Sequence, residues 1–224
     1  MLSSENNRNF DIIQVKHELQ DLIQGNGREG QEDLIQSAAG YLRRSKATSA
    51  GFEKVQYSKE QETKELISFV DAGNLWYSRE IKEIDKIGEG AEQKVYYYPD
   101  GGTVIKLNDS IYFTHWEDYF YNLLLHNYFF PAIKYTLRGF VVKNDMLCAV
   151  VEQPFVKATE QIDLNHVKEF LTQNGFQNTK NNDYYHKELG IILEDLHDEN
   201  VISSGEVLLF IDTVFYLTPD FYKT

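Results

Sequence analysis

The chain has 224 residues and a formal net charge of −13, with 42% hydrophobic and 14% aromatic residues. That apolar content suffices for a packed core and excludes a wholly disordered chain, while the acidity repels phosphate backbones and argues against a nucleic-acid partner. No stretch reaches the ~18 apolar residues of a membrane span, Met1 to Phe10 lacks an apolar signal core, and the lone Cys148 sits in an apolar run. A soluble, cytoplasmic protein with a buried thiol is expected.

Three amphipathic segments come first. Phe10–Ile23 places Ile12, Ile13, Leu19, Leu22 and Ile23 at helical spacing, and Gln31–Arg44 does the same with Leu34, Ile35, Ala38, Ala39 and Leu42. Glu60–Ala72 carries Leu66, Ile67, Phe69 and Val70, with Gly73 as the expected C-cap. The stretches Gly25–Gly30 and Ser45–Gly51 read as turns or linkers.

The pattern changes near Ile84. Val95–Tyr98 and Thr103–Leu107 flank Pro99-Asp100-Gly101-Gly102, a hairpin signal, and a helix is expected over Tyr112–Asn127. Phe140–Lys143 and Leu147–Glu152 flank Asn144-Asp145 as a second hairpin. Then come a helix over Leu164–Asn174, a polar loop, the apolar run Gly190–Leu193, and a last strand pair around Ser203-Ser204-Gly205. This order predicts an α+β domain over residues 81–224, preceded by a helical segment over 1–80.

Three motifs carry chemistry. Gly88-Glu89-Gly90 runs into a hairpin rather than a helix, the setting of a glycine-rich loop over phosphates; Gln93 stands where a third glycine is usual. Alone it would be an ordinary turn. Val104-Ile105-Lys106 ends a β-rich run with a lysine suited to phosphate contact, although an edge-strand lysine would look the same. Glu117 on the following helix is the expected carboxylate partner of Lys106, with Asp118 its competitor.

The third motif is Asp195-Leu196-His197-Asp198-Glu199-Asn200, an Asp five residues before an Asn, followed twelve residues later by Asp212 at the end of Leu209-Phe210-Ile211. Phosphoryl transfer needs one carboxylate beside the attacking hydroxyl, and an amide oxygen and a second carboxylate for Mg²⁺. A solvated acidic turn is the bland alternative. His115, His126 and Cys148 lack metal-ligand spacing, and Tyr128, Phe129 and Phe130 read as core.

In EGAEQKVY, VIKLND, LLHNYFFP, EQPFVKA, LGIILEDLHDENV and FIDTVF, the chain resembles the kinase family found in polyvalent proteins of phages and conjugative elements. The resemblance covers about Ile84 to Leu217. It implies a protein-kinase-like fold with an antiparallel N-lobe and a truncated helical C-lobe. It also implies that Gly88, Gly90 and Lys106 contact ATP phosphates and that Glu152, Gln153 and Phe155 belong to the adenine hinge. Asp195 would be the catalytic base, with Asn200 and Asp212 on Mg²⁺, and His197 stands where many small-molecule kinases have a histidine.

The departures are specific. Leu193 and Glu194 replace the usual His-Arg, Thr213 and Val214 replace Phe-Gly, and twelve residues after Asp212 leave no room for an activation segment. The expected function is transfer of the γ-phosphoryl group of ATP to a hydroxyl of an unknown protein or small-molecule acceptor. The alternative is an inactive pseudokinase that binds nucleotide or a protein partner.

Overall fold

The computed structural model describes residues 3–26, 33–49, 58–90, 93–98, 102–205 and 207–223. Helices run in chain order as α1 (Ser3–Gln24), α2 (Leu34–Ser49), α3 (Lys59–Gly73), α4 (Trp116–Phe129) and α5 (Leu164–Gln173). The chain forms two compact units. One comprises residues 1–28, 128–130 and 156–224, the other 29–127 and 131–155.

The second unit is built on a five-stranded antiparallel sheet of β1 (Lys86–Glu89), β2 (Gln93–Tyr97), β3 (Thr103–Asn108), β4 (Thr136–Lys143) and β5 (Met146–Pro154), in the order β1-β2-β3-β5-β4. Alternation along the strands sorts their side chains between two faces. Tyr96, Ile105, Leu107, Cys148 and Val150 form one face, against which Tyr77 and Ile81 pack. Val104, Lys106 and Asn108 point to the other, where Phe120 of α4 meets Phe140 edge-on at 6.3 Å.

Asn144 and Asp145 close the β4–β5 hairpin with φ of 52° and 62°, the two left-handed positions that a two-residue turn of this hand requires. The loop expected over Pro99–Gly102 lies largely outside the described residues, but Gly102 and the β2–β3 register agree with a hairpin there. Gly139 has φ +137°, and an added Cβ would lie 2.4 Å from the Leu75 carbonyl oxygen. Only glycine lets residues 75–77 run along the sheet edge, where Tyr77 N–H donates to Phe140 O and Phe140 N–H to Leu75 O.

α2 buries Ile35, Ala38, Ala39 and Leu42, and α3 buries Leu66 and Val70, as the spacing predicts. Boundaries differ from expectation in α2, α3 and α4. Residues 45–49 continue α2, because Ser-Lys-Ala-Thr-Ser contains no helix breaker. α3 ends on Asn74 at φ 52°, an αL cap that asparagine tolerates, so Gly73 is its last helical residue. α4 starts four residues later than Tyr112. Its first N–H, of Trp116, is capped at 2.5 Å by Glu62, a carboxylate from α3 that local sequence does not reveal.

In the first unit, α1 buries Leu19 and Ile23 and is tied to the turn at Pro219–Tyr222, where Lys16 Nζ donates to Asp220 O and Gln20 Nε2 to Phe221 O. Ile13, expected in its apolar stripe, is exposed. Four antiparallel strands, β6 (Gln177–Lys180), β7 (Asp183–His186), β8 (Ile191–Glu194) and β11 (Val214–Leu217), order as β11-β8-β7-β6. β9 (Val201–Ser204) and β10 (Val207–Phe210) form the hairpin expected around Gly205. The segment read as a polar loop is the β6–β7 hairpin. Every side chain of β6 is exposed, so the strand has no apolar alternation to betray it. The fold is α+β and antiparallel throughout its described sheets.

Candidate functional site

The sequence-predicted residues divide between the two units: Gly88, Gly90, Lys106, Glu117, Glu152, Gln153 and Phe155 in one, Asp195, His197, Asn200 and Asp212 in the other.

On β3, Lys106 is buried to 4% exposure. Its Nζ lies 3.3 Å from the Tyr135 hydroxyl and 5.2 Å from the centre of that ring, a cation–π approach. Tyr135 is clamped at its backbone by Asn127, which accepts from its N–H at 2.6 Å and donates to its carbonyl at 2.8 Å. Beside them His126 is fully buried, its ring 4.4 Å from that of Tyr135. Burial drives the His126 pKa down to about 3; a backbone hydrogen bond to Ile133 opposes this and the Lys106 charge adds to it. Gln153, also buried, donates to Ile133 O at 2.9 Å. Tyr135 and His126 are thus neighbours of the lysine that no motif announces.

Glu117 is not the partner of Lys106. It accepts from Lys46 Nζ and from the Tyr121 hydroxyl, each at 2.5 Å. Nine residues separate Glu117 from His126, which at 100° per residue sets the two on opposite sides of α4. His126 takes the side near Lys106, so Glu117 points to α2. Glu152 forms a bidentate pair with Arg138 at 2.9 and 3.0 Å. The Phe155 N–H donates to Gly102 O, and its ring meets Tyr97 edge-on at 5.1 Å.

Gly88 pairs with Val95, and Gly90 N–H donates to Gln93 O. Neither has a left-handed φ, and a Cβ at either would meet nothing closer than 3.7 Å. The backbone here does not itself demand glycine.

In the other unit, the apolar run of β8 leads into Asp195, which adopts φ +66°, a conformation aspartate tolerates better than most residues. Asn200 Nδ2 donates to the Asp195 carbonyl and to Asp195 Oδ2, both at 2.8 Å. The Asn200 carbonyl in turn accepts from Ile211 N–H at 2.9 Å and Asp212 N–H at 3.3 Å. One residue therefore ties the turn that presents Asp195 to the end of the strand that presents Asp212. His197 Nε2 lies 3.4 Å from Asp195 Oδ1 and 3.0 Å from Asn200 Nδ2. Burial raises the Asp195 pKa; His197 and the Asn200 hydrogen bond oppose this, and Asp212 and Asp183 add to it.

With both Nδ2 hydrogens spent on Asp195, Asn200 keeps Oδ1 for another ligand. Among the described residues no three His, Cys, Asp or Glu side chains converge as a metal cluster. An amide oxygen and one carboxylate, with the rest of the shell from phosphate and water, is the oxygen donor set that Mg²⁺ takes in phosphoryl-transfer sites.

The antiparallel sheet with its buried strand lysine, and the Asp–Asn turn tied to a strand-ending Asp, define a kinase-like α+β protein. Residues 59–219 match the family described as Serine/Threonine/Tyrosine Kinase found in polyvalent proteins, and the chain belongs to that family. The match takes in α3, well before Ile84. No curated protein and no solved structure matches the chain. Membership supports a kinase-like phosphotransferase class. No described helix is long and apolar enough to cross a membrane.

Proposed function

We propose that the chain is an ATP- and magnesium-dependent phosphotransferase that moves the γ-phosphoryl group to a hydroxyl of a protein or small-molecule acceptor. The observation that carries this is the tie between Asp195, Asn200 and Asp212. It fixes the Asp195 carboxylate and ties the Asp212 backbone to the same turn, and phosphoryl transfer needs one carboxylate for the acceptor hydroxyl and an amide oxygen and a second carboxylate for the metal. Asp195 orients the hydroxyl and takes its proton at a carboxylate oxygen, and its raised affinity for that proton suits the task. Asn200 Oδ1 and the Asp212 carboxylate would hold magnesium, which when bound offsets phosphate charge. Lys106 supplies the fixed cation for the phosphates, and the open space at Gly88 and Gly90 admits close backbone approach. Calorimetric titration with an unreactive ATP analogue tests this. Binding should require Mg²⁺ and weaken at least tenfold in Lys106→Ala; no binding at high protein concentration would sink the reading.

A second reading draws on Glu117. Glu117, the carboxylate expected to hold Lys106 as in active protein kinases, pairs with Lys46 instead. A module that binds nucleotide or a protein partner without turnover fits that feature. It predicts analogue binding with no phosphotransfer to any acceptor offered.

A further inference from the structure

A cavity of about 720 Å³ in the first unit is a groove between α5, residues 160–163 and the β9–β10 hairpin. Its lining mixes two chemistries. Ile162, Phe170, Val207 and Leu208 give an apolar floor, with Phe170 42% and Val207 56% exposed. Glu160, Asp163 and Glu169 stand around it, with His166 the one basic side chain among the described residues of the lining.

These carboxylates differ from six others among the described residues. Glu62, Glu83, Glu89, Glu117, Glu152 and Asp220 each pair with a lysine or arginine. Among the described residues the Glu160 carboxylate accepts from the Ser203 hydroxyl, and Asp163 caps α5 through Asn165. Among the described residues none of the three has a lysine or arginine partner.

The floor is fixed in place. The Phe170 ring packs against Phe210 at 5.8 Å, and Phe210 pairs with Val201, the residue after Asn200. Ser203, on the groove wall, is three strand residues beyond Asn200, or about 10 Å at 3.3 Å per residue. A polypeptide lying in the groove would thus be a few residues from the Asp195 turn.

We propose that this groove docks an extended polypeptide segment in which basic side chains alternate with apolar ones, carried by the phosphoryl acceptor. Its apolar residues would cover Phe170 and Val207, and its lysines or arginines would pair with Glu160, Asp163 and Glu169. The net charge of −13 would steer such a segment in and repel an acidic one. As an acceptor site the groove rests on the phosphotransferase reading; as a peptide-binding surface it does not.

The test is fluorescence anisotropy with the full chain and a labelled dodecapeptide carrying three arginines and three leucines, beside its counterpart with glutamates for arginines. The basic peptide should bind at least tenfold tighter than the acidic one and weaken with salt. Glu169→Arg and Val207→Asp, both at exposed positions, should each weaken it at least tenfold. Equal binding of the two peptides, or unchanged binding in both variants, overturns the proposal. The ATP-analogue titration on the same samples separates the two readings. Failed peptide discrimination with normal nucleotide binding removes the groove alone. Peptide binding as expected without nucleotide binding removes the phosphotransferase and leaves the docking groove standing.

Discussion

The Asn200 side chain holds Asp195 at two points, its backbone carbonyl and its carboxylate, each at 2.8 Å. Asn200 is itself 8% exposed, so water cannot readily replace either bond. Asn200→Ala should lose both, one of them to a charged group, and cost about 2–3 kcal/mol of stability. Phosphotransfer should vanish with it. Urea unfolding beside an ATP turnover assay reads both effects, and an unchanged midpoint would show that the turn does not need this tie.

Asp195→Asn separates chemistry from folding at the same turn. Asparagine accepts the positive φ, keeps the size, and removes the charge that faces Asp212 and Asp183. Turnover should fall by about 10²–10⁴, the range of a lost general base. The sign on stability is the reverse. A carboxyl whose folded pKa is raised costs nothing below its unfolded value, and stability is lost as pH rises through the folded one. The variant should therefore be at least as stable as the parent at pH 7. In the parent, the acid limb of kcat/KM against pH should lie above the ordinary carboxylate range.

What could be read from the sequence was local. Asn144-Asp145 announces its hairpin because two left-handed positions select those residues, and the Asp195–Asn200 spacing survives because a single turn spans it. The lysine of β3 was legible from its strand, yet its surroundings were not. Tyr135 and His126 reach it through the tertiary packing of β3, α4 and the segment before β4, and no spacing records that. Helical projection alone points to Glu117, and it cannot know that Lys46, 71 residues earlier, waits on α2. The β6–β7 hairpin escaped because an all-exposed strand carries no hydrophobic period.

Lys46 provides a test of the buried network that took Glu117. Its Nζ lies 2.6 Å from Glu62 and 2.5 Å from Glu117, and Glu62 has no solvent exposure. Burial alone would lower the Lys46 pKa, but the hydrogen bonds and charges of Glu117 and Glu62 outweigh it and raise it. Lys46→Met should strip the buried Glu62 of its lysine, leaving it the Trp116 N–H and His115, at a cost of about 3–5 kcal/mol. Adding Glu62→Gln should recover part of that loss, so the double variant is more stable than the sum of the singles. Strict additivity in thermal unfolding would show that the pair is not coupled.

His126 makes the protein acid-sensitive in a defined window. Its folded pKa of about 3 lies far below the usual 6.5 of histidine because the ring is buried beside Lys106, Tyr135 and Gln153. A neutral buried histidine contributes its stability fully above the unfolded pKa and loses it as pH falls below that value toward the folded one. Between pH 7 and pH 5 the loss should be roughly 2 kcal/mol, from 1.36 kcal/mol per unit over about 1.5 units. His186, also lowered by burial, adds in the same direction. His126→Gln keeps a polar group near the Ile133 carbonyl without a titrating ring, and should flatten most of that slope. Urea midpoints at pH 7 and pH 5 for parent and variant decide it: parallel losses in the two would place the acid sensitivity elsewhere.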